Sequence, residues 1–134
     1  MKAITTILLF LLLNAFCFAQ TTPCEKIYNT PDSLAKYKTG KKDLHAYFQE
    51  KIIPILGDCI KQKLDVVYSM TIKLTIDATG KVNAVEFLKP ELTEYCKTKL
   101  TTEMLQMQGW KPGMASKQNV CSVFIYPIAG IRWQ

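Results

Sequence analysis

Residues 70–88 admit few folds. Met70, Ile72, Leu74 and Ile76 alternate with Thr71, Lys73 and Thr75. That period of two describes a strand with one core face and one wet face. Asp77-Ala78-Thr79-Gly80 follows and reads as a hairpin loop, with Asp at the first turn position and Gly at a final position of positive φ. Val82 to Leu88 then reads as the return strand. A hairpin with one apolar face has to bury that face against something else in the chain.

Two helical stretches flank the hairpin and can supply the cover. Leu44, Tyr47, Phe48, Lys51 and Ile52 recur at spacings of three and four, with Asp43 placed to cap. Pro54 is expected to break or kink this helix, with a second piece from Ile55 to about Lys63. After the hairpin, Lys89-Pro90-Glu91 reads as a helix start, with Glu91 and Glu94 near the positive end. Leu92, Tyr95, Cys96, Leu100, Met104 and Met107 form its expected apolar face, and Gly109 its expected stop. Trp110-Lys111-Pro112-Gly113 is a connector in which Trp110 covers the end of the core. Val120 to Ile128 reads as a third strand. Residues 20–42 read as a polar lead-in with at most one helical turn, around Asp32 to Tyr37.

These elements give an α+β fold: a three-stranded antiparallel sheet with helices on one face. The helix of residues 90–108 carries the chain back along the sheet, so the third strand runs parallel in direction to the second and sits beside the first. The sheet order is second, first, third. The third strand is then an edge, with a row of unpaired backbone groups. Cys59 and Cys96 fall at the same end of this sheet, and Cys121 at the opposite end. Of the three pairings open to Cys24, Cys59, Cys96 and Cys121, this topology favours Cys59–Cys96 and Cys24–Cys121.

The start of the chain explains why disulfides are expected. Lys2, the apolar run Ile7 to Leu13 and the small Ala19 make a secretory signal over residues 1–19, with cleavage after Ala19. Two other readings stand beside it: an uncut anchor, and lipidation at Cys17, although bulky Phe16 suits that poorly. Of the five cysteines, cleavage removes Cys17, and the even number of four that remains in an exported chain reads as a disulfide framework. The chain carries a net charge of +6, and cleavage removes only Lys2 from it. The lysines are dispersed and the chain is exported, so the charge reads as solubilising and nucleic acid is not an expected partner.

Over residues 43–128 the ordered features resemble the carboxy-terminal domain of TonB-type energy transducers. Leu44-His45-Ala46-Tyr47-Phe48 leading to Ile52-Ile53-Pro54 is similar to that family's first helix. Thr71 to Asp77 followed by Gly80-Lys81-Val82 is similar to its strand, turn and return strand. Gly109-Trp110-Lys111-Pro112-Gly113 is similar to its connector, and Val123 to Ile128, with Pro127, to its last strand. The resemblance implies residence in the periplasm and contact with an outer-membrane receptor, a short segment of which pairs with the edge strand. The chain departs from the family in having no long Pro-rich spacer and in carrying four cysteines after the signal. The domain of residues 43–134 is therefore expected to be free-standing and exported, with the binding mode carried over and force transmission left behind.

Little in the sequence favours chemistry. His45 is the only histidine, which argues against a multi-histidine metal site, and its place beside Tyr47 and Phe48 reads as an ordinary helix side chain. No Gly-rich phosphate loop, nucleotide fingerprint or G-x-S-x-G setting occurs. No catalytic residue, cofactor or metal is expected. The expected functional surface is the last strand, at Val120, Ser122, Val123, Phe124, Ile125, Tyr126 and Pro127. The expected partner is an extended segment of a periplasmic or secreted envelope protein. A homodimer formed through the same edge is the alternative, and so is a disulfide-stabilised inhibitor, which lacks a recognisable reactive loop.

Overall fold

The computed structural model describes residues 24–61, 69–89 and 91–129. The expected signal sequence and Pro90 lie outside these residues. The chain forms an α+β fold built on a curled sheet. The described strands are β1 (Ile27–Tyr28), β2 (Lys36–Tyr37), β3 (Ser69–Ile76), β4 (Val82–Lys89), β5 (Trp110–Lys111), β6 (Gly113–Ala115) and β7 (Gln118–Ala129), of which β2 and β5 form a separate two-stranded sheet. The helices are α1 (Lys41–Tyr47), α2 (Ile53–Lys61) and α3 (Glu94–Leu105).

The hairpin of β3 and β4 forms where the alternation places it. Met70, Ile72, Leu74 and Ile76 are all at most 1% exposed. The Asp77 carboxylate accepts from the Thr79 and Lys81 amides and from the Thr79 hydroxyl, at 2.8, 3.0 and 2.6 Å. Gly80 closes the loop at φ +85. β3 pairs with β4 on one side and, antiparallel, with β7 on the other, from Ser69↔Ala129 to Ile76↔Ser122.

The sheet is larger than the expected three strands. Its order is β1-β7-β3-β4, with β6 paired to β7 as well. β1 lies parallel to β7, Ile27 opposite Cys121 and Tyr28 opposite Ser122. The helical turn expected around Asp32 to Tyr37 is absent. Short strand pairings take its place: Ser33 and Met114 exchange amide hydrogen bonds of 3.1 and 2.9 Å, and β2 pairs with β5.

Pro54 does not break the first helix. Between α1 and α2 the backbone widens into one π-helical turn over Phe48–Ile52 and continues. Proline lacks an N–H and crowds the carbonyl four residues back, and a wider turn is one way to absorb both demands without ending the helix. Leu44, Phe48, Ile52, Leu56 and Cys59 then share one buried face.

α3 begins at Glu94, later than Pro90, because Thr93 is the residue that caps it, accepting from the Cys96 amide at 3.4 Å. Its buried stripe is Cys96, Leu100 and Met104, while Tyr95 is 43% exposed. The helix ends at Leu105 through i→i−3 bonds from Gln106 and Met107, before Gly109 is reached. The Tyr47 hydroxyl, 3.1 Å from the Glu103 carbonyl and 3.0 Å from its carboxylate, joins α1 to α3. Disulfides join Cys59 to Cys96, between α2 and α3, and Cys24 to Cys121, between the lead-in and β7.

Candidate functional site

β7 is the longest strand among the described residues, and its two halves differ. Gln118, Asn119 and Val120 pair with β6 across a two-residue turn at Ser116-Lys117. Both turn residues have positive φ, 49° and 62°, the requirement of the tight hairpin turn that usually selects Asn-Gly. Here the Asp32 carboxylate helps hold it, accepting from the Ser116 amide at 2.8 Å. Cys121 and Ser122 pair with β1, and Ser122 is also opposite Ile76 of β3.

From Val123 to Ala129 the strand pairs with β3 alone among the described residues. Two residues of the expected contact edge, Val120 and Ser122, are thus already occupied by neighbouring strands. Val123, Phe124, Ile125, Tyr126 and Pro127 keep one backbone side without a strand partner among the described residues.

The side chains of this half alternate. Phe124, Tyr126 and Ile128 pack against the core. Ile125 lies on the far face of the sheet and is 54% exposed. The inward rings belong to a continuous aromatic chain. Phe124 meets Trp110 at 5.0 Å, Trp110 meets Tyr37 at 5.3 Å, and Tyr37 meets Tyr47 at 5.7 Å. Tyr47 meets Phe48 at 6.1 Å, and Phe48 meets Tyr126 at 4.8 Å. Such pairs contribute beyond their buried area and fix the angle of the strand against the helices. Burial raises the Tyr126 hydroxyl above its ordinary pKa.

An apolar groove of about 440 Å³ lies beside this half of the strand. Leu34, Ala35, Tyr37, Leu44 and Phe124 line it. Phe124 belongs both to the groove and to the open half of β7. The other walls come from the lead-in and the start of α1. Lys36 and Lys41 stand at the rim, both exposed. The α1 start is fixed by Asp43, whose carboxylate accepts from the Thr39 amide and hydroxyl at 2.8 and 2.6 Å. Those bonds hold the Asp43 carboxyl below its ordinary pKa.

The walls formed by residues 34–40 were missed in the sequence. Strands of two residues carry no detectable alternation, and Leu34 and Phe124 meet only through the fold. His45 is exposed on α1. Among the described residues no three His, Cys, Asp or Glu side chains gather as a metal site requires. No described helix is long and apolar enough to cross a membrane. Compared with protein-family models, curated proteins and solved structures, the chain matches none.

Proposed function

We propose that the chain is an exported, non-enzymatic interaction module that captures an extended segment of a cell-envelope protein by adding it as a strand to β7. One observation carries the reading: Val123 to Ala129 is paired on one side only among the described residues. An open edge supplies the backbone bonds of strand addition, and an adjacent pocket supplies selectivity for side chains. The groove at Phe124 is such a pocket.

Pro127 adds support. Proline is tolerated in a sheet where no ladder bond is lost. Backbone direction alternates along a strand, so Val123, Ile125 and Pro127 share one direction, and the missing N–H of Pro127 suits the open side. The two disulfides favour an oxidising compartment. The ordered likeness of residues 43–128 to the TonB carboxy-terminal domain favours an envelope partner, such as an outer-membrane receptor, without the transducer's mechanical role.

The test is affinity capture from envelope extract with the mature chain and an Ile125→Pro variant. The Ile125 side chain is exposed, so the substitution removes an outward N–H without opening the core. An unchanged circular dichroism spectrum is required of the variant. Retention of an envelope protein by the first and its loss by the second is the expected result. Equal retention by both rejects strand addition. A concentration-dependent dimer by light scattering that Ile125→Pro dissolves assigns the edge to self-pairing instead.

A further inference from the structure

We infer that the strand taken up beside β7 is acidic, with an apolar side chain seated in the Phe124 groove and carboxylates on the lysines that surround it; this rests on the strand-addition reading.

The groove itself accounts only for an apolar anchor. Its surroundings carry a charge arrangement that the fold does not need. In the β2–β5 ladder Lys36 stands directly opposite Lys111. Both are exposed. Like charges directly opposite each other in a ladder destabilise it. A ladder of two residue pairs has little stability to spare, and Tyr37 opposite Trp110 supplies its only apolar pair.

Lys36 also lines the groove. Its stem passes over Gly40, where an added Cβ would lie 3.1 Å from the lysine Cε. Lys41 lines the same groove mouth. Local acids do not cancel this charge. Asp43 is engaged by Thr39, and the lysines that act on it are Lys38 and Lys42. Asp32 is engaged by the Ser116 amide. Among the described residues no carboxylate forms an ion pair with Lys36, Lys41 or Lys111. An acidic strand would relieve the Lys36–Lys111 repulsion on binding, so the complex gains from a conflict that the free protein carries. A basic segment would aggravate it.

The experiment uses the mature, oxidised chain and three fluorescein-labelled peptides of seven residues. One alternates Glu with Val. The second alternates Lys with Val. The third is the acidic peptide with its backbone N-methylated on alternate residues. Anisotropy gives their affinities at low and high salt. The expected result is binding of the acidic peptide alone, weakened by salt. A Lys36→Gln, Lys111→Gln double variant should weaken it about tenfold, a few-fold for each exposed charge. N-methylation and Ile125→Pro should each abolish it. Equal binding of acidic and basic peptides, unaffected by the double variant, overturns the inference while strand addition stands. Acidic binding indifferent to N-methylation and to Ile125→Pro overturns strand addition, and with it an inference that rests on it. Binding of none of the three overturns both.

Discussion

Gly80 lies against the carbonyl oxygen of Trp110, so closely that an added Cβ would overlap that oxygen. The β3–β4 loop and the connector after α3 therefore touch backbone to backbone. Two separate demands fall on this position: a left-handed φ of +85 and the absence of a side chain. Gly80→Ala should destabilise the protein by about 3 kcal/mol, roughly 1 from the backbone conformation and the rest from overpacking against atoms that cannot rotate away. Gly40→Ala is the control. Its backbone, at φ 138 and ψ -146, lies in a region open essentially to glycine, but its close neighbour is the flexible stem of Lys36, so it should cost about 2 kcal/mol, from the backbone alone. Urea unfolding of the two variants distinguishes them.

The two disulfides should differ in worth. Cys24–Cys121 spans a sequence separation of 97 and Cys59–Cys96 one of 37. Chain entropy alone assigns about 5 kcal/mol to the first and about 4 to the second. Paired Cys→Ala variants should follow that order in urea. A peptide map without reduction should show only these two links. Loss of Cys24–Cys121 should also speed hydrogen exchange at Ile27 and Tyr28, which the bridge holds against β7.

Acid should weaken the hairpin through Asp77. Burial by itself would raise the pKa of this carboxyl, but the Thr79 hydroxyl and the Thr79 and Lys81 amides outweigh burial and hold it below its ordinary value of 3.8. A carboxyl whose pKa is lowered on folding contributes stability that is complete above the unfolded value. That contribution is lost as pH falls through the folded value. Urea midpoints should therefore be flat above about pH 5 and fall below about pH 4. Asp77→Asn should start lower and show a shallower acid fall.

Lys36→Glu should raise stability while it removes binding. A carboxylate opposite Lys111 replaces a repulsion with an attraction, worth roughly 0.5–1 kcal/mol. Added salt should narrow the gap between variant and parent, since screening weakens both effects. Lysines that merely solvate the surface would show the stability gain with no loss of acidic-peptide affinity.

How far the fold could be read depended on the length of each signal. The β3–β4 hairpin carries a full alternation and an Asp–Gly loop, and it was legible. The positions of Cys59, Cys96 and Cys121 along that sheet were legible enough to favour the pairs that the structure joins. β1, β2 and β6 were not, because two or three residues carry no period. The β6–β7 turn was hidden because Ser116-Lys117 lacks the glycine that normally marks positive φ. Pro54 misled, since a proline can be absorbed by a π turn as well as by a break. The groove was out of reach, because Leu34, Leu44 and Phe124 are unremarkable until the sheet brings them together.

The short parallel pairing of β1 with Cys121 and Ser122, fastened by Cys24, acts as a wall across the edge of β7. A strand added from the Ala129 end would meet it at Ser122. Among the described residues the part paired on one side only runs from Val123 to Ala129, roughly 23 Å of extended chain. With β1 already on Cys121 and Ser122, edge-to-edge stacking of copies along the full length of β7 is refused.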